Sequence, residues 1–231
     1  MIKAVLIDID DTLLSFQEFV REAIKHGFRK FGLGEYREEM YEVFTRVNSA
    51  MWRDLEDGKL SFEELKKTRW NKVFKALRIR GDGVVFEGYF RDFLFDSAIP
   101  QEGALSLLEY LKPKYVLCAA SNGPYAQQVN RLKTGGMLLY FDHLFISEEM
   151  GYSKPSKEFF DLCFHRLNNR RKDIIRPQEM LILGDSLSSD IKGGIGAGIK
   201  TAFYNPFGKI LPDGITPDFT VKHLMEMKTI L

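Results

Sequence analysis

Two spacings of hydrophobic residues divide the chain. Residues 2–7 (IKAVLI) form a short apolar run that stops at acidic residues, as expected for a buried strand that delivers carboxylates to its C-terminal end. From about Ser15 to Ser97, apolar residues recur instead at intervals of three and four, the spacing of amphipathic helices. The first such set is Phe16, Phe19, Val20, Ala23, Ile24, Phe28 and Phe31. The pattern therefore predicts a helical insert over residues 15–97.

After Pro100 the pattern changes to helices that alternate with strands. The predicted strands are 115–121, 143–147, 180–186 and 201–205, and the predicted helices are 102–111, a helix from Tyr125, 156–167 and 188–197. Such alternation is typical of an α/β fold with a doubly wound parallel sheet. We therefore expect a core domain made of residues 1–14 and 98–231. Ligands of such sheets bind beyond the carboxyl ends of the strands.

Two shorter patterns predict local structure. Ser61-Phe-Glu-Glu64 has the form of a capping box, in which the Ser and Glu side chains satisfy free amides at a helix start, so a helix should begin near Ser61. The run GGIGAG at 193–198 lies late in a predicted helix, not between a first strand and its helix. We interpret it as close helix-to-sheet packing with a C-terminal glycine stop, not as a dinucleotide site.

Charge and cysteine content exclude several function classes. The 33 Lys and Arg residues nearly balance 32 Asp and Glu residues, so no broad positive field would attract a nucleic-acid polymer or an anionic membrane. Cys118 and Cys163 are far apart in sequence and predict neither a disulfide framework nor a zinc ribbon. The acidic residues that follow residues 2–7 interrupt any signal peptide or membrane span. We expect a cytoplasmic protein with no obligate protein partner.

Polar residues follow four of the predicted strands and predict a single site. They are Asp8, Asp10, Asp11 and Thr12 after the first strand, Ser121 and Asn122, Lys154, and Asp185 with Asp190. Two carboxylates at i and i+2 and a third from another strand make a hard, oxygen-rich site that suits Mg²⁺. Lys154 and the groups near Ser121 supply positive charge and hydrogen-bond donors. The combination predicts phosphoryl transfer.

These motifs resemble those of a known family. DIDDT, SNG, the Lys of SKP and GDSLSSD occur in the order and at the separations that characterise haloacid dehalogenase-like hydrolases, from Asp8 to Gly198. Each motif alone is weak, but four of them at four strand ends are specific. The resemblance implies a Rossmann-like core with an inserted all-helical cap domain, and a Mg²⁺-dependent phosphatase that acts on a small-molecule phosphomonoester.

The resemblance also implies catalytic roles. Asp8 looks like the nucleophile that forms an aspartyl phosphate, while Asp10 would protonate the leaving oxygen and then activate water. Mg²⁺ would be held by the Asp8 carboxylate, the main-chain carbonyl of Asp10 and Asp185. Asp190 would order bound waters or Lys154.

The remaining motif residues would handle phosphate. Ser121, Asn122 and Lys154 match phosphate-binding positions, Lys154 would also shield Asp8 from the incoming negative charge, and Thr12 would hold the nucleophile loop in shape. Asp11 departs from the pattern, because many members have Gly there. It places a further carboxylate beside the site and argues against a positive φ at this position.

Residues 15–97 stand where the family has its cap, which closes over the site and chooses the leaving group. The stretch AMWRDLEDGKLSFEELKKTRW at 50–70, with GDSLSSDIKGG and the later NP at 205–206, resembles bacterial pyrimidine 5′-nucleotidases. Phe16, Trp52 and Arg53 could then line a base or sugar pocket, since an aromatic face stacks on a pyrimidine and a guanidinium pairs with polar edges. Alternatively, Trp52 packs in the cap core and Arg53 is simply exposed.

Other functions stay open at this stage. Phosphatases of sugar phosphates, including acylneuraminate phosphates, share this core and cap type. A phosphonate hydrolase would need a cap lysine, for which Lys25 and Lys59 are available. A dehalogenase would not keep an acid/base carboxylate at Asp10 or need Asp185. A non-catalytic binding protein would be expected to lack one of the four residues Asp8, Asp10, Lys154 and Asp185, and all four are present.

Overall fold

The computed structural model describes all 231 residues, Met1–Leu231, and they form two compact units. Met1–Ser15 and Ala98–Leu231 make up one unit, called here the core unit, and Phe16–Ser97 make up the other, called the helical unit. The chain leaves the core unit after Ser15 and re-enters it at Ala98. These two segments are paired, because the Ser15 amide donates to the Ile99 carbonyl at 2.7 Å. The helical unit is thus an insertion between two paired segments of the core unit.

The core unit contains a six-stranded, all-parallel sheet with helices on both sides, which confirms the predicted fold class. Its strands are β1 (Ala4–Ile7), β2 (Val116–Ser121), β3 (His143–Ile146), β4 (Met180–Gly184), β5 (Lys200–Tyr204) and β6 (Phe219–Val221). They lie in the order β3-β2-β1-β4-β5-β6. Because the order reverses at β1 and β4, the carboxyl ends of these two strands flank the crevice where doubly wound sheets bind ligands.

The short edge strand β6 was not predicted. Only one of its three residues, Val221, is buried, so it lacks the continuous apolar run that identified the other strands.

Alternate residues of the central strand face two separate hydrophobic layers. Val5 and Ile7 pack in one layer, which also includes Leu107 and Leu224, whereas Ala4 and Leu6 pack in the other. All four residues of β1 are fully buried, as expected for an internal strand of a parallel sheet covered on both faces. The short apolar run at the N-terminus therefore forms the centre of the core.

Helices connect the strands of the core unit. They are α5 (Ala104–Leu111), α6 (Tyr125–Thr134), the single turn α7 (Ser147–Met150), α8 (Lys157–Asn168) and α9 (Lys192–Gly196), with a π-helical turn at Leu187–Ile191 and short 3₁₀ segments at Leu138–Tyr140, Pro177–Glu179 and Leu224–Thr229. The predicted helix over 188–197 is thus a π turn followed by a short α-helix.

The glycine run 193–198 packs as predicted. A Cβ on Gly193 would lie 2.7 Å from the Phe160 ring, and a Cβ on Gly194 would lie 2.6 Å from Cγ2 of Ile182. Gly198 has φ of +69°, a backbone conformation that residues with a Cβ rarely adopt. Glycines here let α9 approach the sheet and then end.

Four helices form the helical unit, α1 (Phe16–Phe31), α2 (Glu38–Glu56), α3 (Phe62–Leu77) and α4 (Gly83–Phe95). The predicted capping box is present at the start of α3, where the Ser61 amide donates to Oε2 of Glu64 at 2.9 Å and the Glu64 amide donates to Oγ of Ser61 at 3.2 Å. At the start of α4, the Asp82 side chain caps the amides of Val84 and Val85. No helix of the chain combines the length and apolar character needed to cross a membrane.

The helical unit has its own aromatic core around Trp70. Its ring is fully buried and lies 4.4 Å from the Phe86 ring centroid and 4.9 Å from that of Phe44. Beside them is a buried ion pair, in which Arg69 donates to both carboxylate oxygens of Glu87 at 2.6 and 3.1 Å. Bidentate pairing compensates the loss of hydration that both charges suffer inside this unit.

Candidate active site

The site is built at the carboxyl ends of β1, β2 and β4. Asp8 directly follows β1, and its amide donates to the Leu183 carbonyl on β4 at 2.9 Å, which continues the strand pairing to the first acidic residue. Thr12, in the loop that follows, donates through Oγ1 to Oδ2 of Asp8 at 3.2 Å. Thr12 is fully buried, so this bond fixes the carboxylate from the protein side. The role of Thr12 in shaping the loop and in the handling of phosphate stays a prediction.

The Lys154 ammonium lies at the centre of the site. It donates to Oδ1 of Asp8 at 2.7 Å, to Oδ1 of Asp190 at 2.6 Å and to the Ala120 carbonyl at 2.6 Å. These three acceptors use all three of its protons, which a buried ammonium requires. Burial alone would lower the pKa of Lys154, but the charges of Asp190 and Asp8 outweigh it and hold that pKa above its ordinary value. Lys154 is therefore a permanent cation beside Asp8.

The surroundings of Asp8 disfavour its ionised form. Burial is the main cause that raises its pKa, the Lys154 ammonium opposes this effect, and the neighbouring charges of Asp190 and Asp10 add to it, so that the pKa rises to about 7. Further positive charge near this carboxylate would favour its ionised form at neutral pH. A bound cation would supply it.

Asp190 is packed against the backbone of β4. Its Oδ1 accepts from Lys154 and its Oδ2 accepts from the Ser186 amide at 3.1 Å, so both oxygens have partners. A Cβ on Gly184 would lie 2.2 Å from Oδ2 of Asp190, which explains the glycine that precedes Asp185. Asp190 thus contacts Lys154 directly, and its role in ordering bound waters or Lys154 stays a prediction.

Asp185 lies beyond β4 and faces the same cluster. Burial, with the negative charges of Asp11 and Asp8, raises the pKa of Asp185 well above its ordinary range. Nζ of Lys209, from the loop after β5, lies 3.5 Å from Oδ2 of Asp185. Lys209 was not predicted, because it follows no motif and comes close only through the fold of its loop.

The expectation that Asp11 argues against a positive φ was wrong. Asp11 has φ of 59°, and its amide donates to the Leu14 carbonyl at 2.8 Å, which closes a tight loop. Asp is one of the few residues other than Gly that adopt the left-handed region readily. The loop therefore keeps the shape that a glycine would give and gains a carboxylate.

The carboxylates are arranged to hold a metal ion. Oxygens of Asp8, Asp185 and Asp190 lie within 4.8 Å of one another, and hard oxygen ligands are those that Mg²⁺ prefers. In their ionised forms, the five aspartates at positions 8, 10, 11, 185 and 190 carry two more charges than the cations Lys154, Arg131 and Lys209. A divalent cation would balance this excess and lower the pKa values of Asp8 and Asp185. The residues present therefore fit Mg²⁺.

Ser121 and Asn122 end β2 next to this cluster. Asn122 holds the lysine loop, because its Nδ2 donates to the Lys154 carbonyl at 2.8 Å and its Oδ1 accepts from the Lys154 amide at 2.9 Å. Oγ of Ser121 accepts from the Gly123 amide at 3.1 Å. Phosphate binding by these two residues stays a prediction, and the contacts give Asn122 a second task, which is to place Lys154.

Two residues that the sequence did not single out contact Asp10. Nη1 of Arg131 donates to Oδ1 of Asp10 at 2.5 Å, and Nε2 of Gln128 donates to Oδ2 of Asp10 at 2.6 Å. Both side chains come from the buried face of α6. Their signal in the sequence is a pair of polar residues at i and i+3 beside Leu132, a face that would ordinarily be apolar.

Phe16, Trp52 and Arg53 lie in the helical unit, whereas the acidic cluster is built from residues of the core unit. Trp52 is half-buried on α2, with its ring 6.1 Å from the Phe62 ring, and Arg53 is exposed. Phe16 contacts the aromatic rings of Phe19, Phe44 and Phe90. Trp70, not Trp52, is the tryptophan at the centre of the helical core. The part of Trp52 and Arg53 in substrate recognition stays a prediction.

The sheet order, the strand-end carboxylates and the buried lysine are features of one enzyme class. The sequence model of the haloacid dehalogenase-like hydrolases matches residues 2–198. The chain therefore belongs to this family of hydrolases, which confirms the resemblance drawn from its motifs.

Several known proteins resemble the chain over most of its length. It is 32% identical to the haloacid dehalogenase-like hydrolase YfnB of Bacillus subtilis over 99% of this chain and 95% of that protein. A crystal structure of YfnB bound to magnesium superposes with a TM-score of 0.89 and covers 100% of this chain and 98% of that one. The pyrimidine 5′-nucleotidases PynA of Streptococcus pneumoniae and YjjG of Escherichia coli are 33% and 30% identical, over 88% and 98% of this chain and 84% and 96% of theirs.

Proposed function

We propose that the protein is a Mg²⁺-dependent phosphomonoester hydrolase that acts through an aspartyl phosphate on Asp8, with nucleoside monophosphates as its substrates. The observation that carries this proposal is the Lys154 ammonium, which bonds to both Asp8 and Asp190 while Asp185 faces the same cluster. A carboxylate held between a fixed cation and an acidic metal site suits attack on a phosphoryl group, whose charge must be neutralised as it is transferred.

The chemistry divides into two displacements at phosphorus. In the first, a carboxylate oxygen of Asp8 bonds to phosphorus, the bond from phosphorus to the substrate oxygen breaks, and Asp10 gives that oxygen a proton. In the second, Asp10 takes a proton from water, the water oxygen bonds to phosphorus, and the bond from phosphorus to Asp8 breaks. Asp10 thus recovers the proton that it gave. Ser121 would hold a phosphoryl oxygen throughout, and the Lys154 ammonium would offset the phosphoryl charge from its place beside Asp8.

Mg²⁺ would be held by the carboxylates of Asp8 and Asp185 and by the main-chain carbonyl of Asp10. When bound, it supplies the positive charge that offsets repulsion between Asp8 and the phosphate. Asp190 belongs to the same cluster, but we assign it to Lys154 and not to the metal, because its side chain is only 1% exposed, whereas the side chains of Asp8 and Asp185 are 11% and 20% exposed. Asp185 has only the longer contact with Lys209, so its oxygens are better placed for a cation.

The proposed substrate class draws on two relatives whose names describe pyrimidine 5′-nucleotidases, each at least 30% identical to this chain. The helical unit stands where the family has its cap, and we assign the choice of leaving group to it. Trp52 and Arg53 are the residues proposed to contact the nucleoside. Sugar phosphates, including acylneuraminate phosphates, are the rival substrates, and the same assay separates them.

Release of inorganic phosphate from a panel of nucleoside monophosphates and sugar phosphates tests the proposal. We expect activity with Mg²⁺, loss of activity in excess chelator and recovery when Mg²⁺ is returned, whereas Ca²⁺, which prefers a larger and looser shell, should support little turnover. Asp8→Asn should abolish turnover in a folded protein, because an amide cannot serve as the nucleophile. The matched control is Asp161→Asn, which removes an exposed carboxylate paired with Lys157 on α8.

Three outcomes would contradict the proposal. Full turnover by Asp8→Asn would exclude the aspartyl phosphate, and full turnover in excess chelator would exclude the metal. A preference for sugar phosphates over every nucleotide would leave the mechanism in place and replace the substrate class.

A further inference from the structure

We infer that Gln128 and Arg131 are positioning residues that fix both the Asp10 carboxylate and the Ser121 hydroxyl for phosphoryl transfer. This inference rests on the proposed phosphatase function and deepens it. Neither residue belongs to the four motifs, and both come from α6, which carries none of the predicted acidic residues.

The two side chains form a closed network around Asp10. One carboxylate oxygen accepts from Nη1 of Arg131 at 2.5 Å and the other accepts from Nε2 of Gln128 at 2.6 Å. Nη1 of Arg131 also donates to Oε1 of Gln128 at 2.9 Å, which fixes the orientation of the Gln128 amide. Because each Asp10 oxygen is held by a different donor, the carboxylate plane cannot rotate without breaking a bond. Each oxygen keeps a second lone pair for the proton that it transfers.

The same amide determines which way the Ser121 hydroxyl can donate. Nε2 of Gln128 has two protons, of which one goes to Asp10 and the other to Oγ of Ser121 at 2.7 Å. Oγ of Ser121 also accepts from the Gly123 amide at 3.1 Å. Two donors occupy the two lone pairs of this oxygen, so its own proton is left to donate elsewhere. Ser121 is thereby set as a hydrogen-bond donor, which is what a phosphoryl oxygen requires.

The packing around Gln128 leaves room for the contacts of its amide with Asp10 and Ser121. A Cβ on Gly123 would lie 2.6 Å from Nε2 of Gln128, so the glycine of the SNG motif leaves the space that this amide occupies. The Arg131 side chain is only 1% exposed, whereas the Asp10 side chain is 35% exposed. Burial of a guanidinium is unfavourable unless its charge is paired. The network therefore holds Asp10 from the protein side and leaves its other side open to a reacting group.

The decisive measurement is kcat/KM across phosphate esters with different leaving groups. The value of kcat/KM reports the steps up to departure of the leaving group. For an alkyl phosphate, whose leaving group is poor, that departure requires a proton from Asp10, whereas dinitrophenolate leaves without one. We expect Arg131→Met and Gln128→Met to lower kcat/KM for an alkyl phosphate by about 10- to 100-fold, the size of loss that a small misplacement of a catalytic group causes. The loss with dinitrophenyl phosphate should be about threefold or less for Arg131→Met. Equal losses for both esters would overturn the inference.

A double-mutant cycle separates positioning from general support of the fold. If Arg131 acts through Asp10, then Arg131→Met in an Asp10→Asn background should lower kcat/KM for the alkyl ester by no more than about twofold beyond Asp10→Asn alone. A full additional loss would mean that Arg131 acts independently of Asp10, which would contradict its assignment. Arg131→Lys keeps the charge and should recover part of the activity. The matched control is Arg166→Met, which removes a surface ion pair between Arg166 on α8 and Glu149 on α7.

Thermal unfolding of each variant accompanies the assays. If Arg131→Met does not fold, Arg131→Lys carries both the leaving-group comparison and the cycle, with smaller losses in the same direction. A wild-type protein that hydrolyses no phosphate ester would refute the proposed function, whereas an active wild type with uniform losses in the variants would refute only this inference.

Discussion

At the scale of single residues, four aspartates of the same site differ because of their partners. Asp8 is paired with Lys154, Asp10 with Arg131 and Gln128, and Asp190 with Lys154 and a backbone amide, while Asp185 has only a distant lysine. The sequence predicted all four carboxylates, because each follows a strand at a recognisable spacing. It did not predict Arg131, Gln128 or Lys209, because contacts between a helix or loop and a distant strand end depend on the assembled fold.

The substitution Gly184→Ala tests how closely Asp190 is packed against the backbone of β4. A Cβ at this position would lie 2.2 Å from Oδ2 of Asp190, so Gly184→Ala should displace Asp190 and, through it, Lys154. We expect a loss of about 1–3 kcal/mol in the free energy of unfolding, typical of overpacking. Phosphate release should fall at least about tenfold, because a displaced cation no longer faces Asp8. Urea unfolding and kcat/KM measure the two effects.

The control is Gly196→Ala at the end of α9, where a Cβ would meet nothing within 4 Å. It should leave kcat/KM unchanged and the free energy of unfolding equal or slightly higher, since alanine restricts the unfolded chain more than glycine does. Wild-type activity in Gly184→Ala would mean that the β4 backbone and Asp190 can separate without moving Lys154.

At the scale of elements, prediction succeeded where the local pattern and the tertiary environment agree. The strands that supply the site are continuous apolar runs, and the Ser61–Glu64 capping box formed as predicted. β6 was missed because it is three residues long with one buried position, and the helix after β4 begins as a π turn that no spacing rule predicts. Both departures are short segments shaped by their neighbours.

The capping box gives an element-scale prediction. Ser61→Ala removes an acceptor for the Glu64 amide at the start of α3, and we expect a loss of about 1 kcal/mol in the free energy of unfolding of the helical unit. The two tryptophans of the chain, Trp52 and Trp70, both lie in that unit, so tryptophan fluorescence during urea unfolding reports on it directly. Kinetic constants for dinitrophenyl phosphate should not change.

The comparison variant is Arg37→Ala at the start of α2, where the N-cap side chain makes no capping hydrogen bond. It should change the free energy of unfolding by less than about 0.5 kcal/mol, as most surface substitutions do. Equal effects at the two helix starts would show that the Ser61 bond contributes nothing beyond helix propensity.

At the scale of the whole molecule, the chain consists of two compact units, each with its own hydrophobic core. The motif residues at positions 8–12, 121–123, 153–155 and 184–190 all lie in the core unit, whereas Trp52 and Arg53 lie in the helical unit. The sequence predicted the parallel sheet because strand-end motifs and αβ alternation are strong patterns. It could not assign the substrate, because aromatic residues at helical spacing read the same whether they pack inward or face a ligand.

The proposed role of the helical unit in choosing the leaving group yields the last prediction. If the helical unit selects a nucleoside leaving group through Trp52, then Trp52→Ala should lower kcat/KM for a pyrimidine monophosphate by about tenfold or more, in line with the loss of a stacking contact and its buried area. Phenyl phosphate should be hydrolysed as by the wild type, because it requires the core unit alone. The ratio of the two kcat/KM values therefore isolates recognition from catalysis.

Two further variants complete this test. Trp52→Phe keeps an aromatic face and should retain most of the preference, while Arg53→Ala should lower the ratio without lowering stability, since Arg53 is exposed. Suppose instead that Trp52→Ala left the ratio unchanged but lowered the midpoint of urea unfolding. Trp52 would then belong to the packing of α2 against the start of α3, where its ring meets Phe62, and selection of the leaving group would have to be sought in other residues of the helical unit.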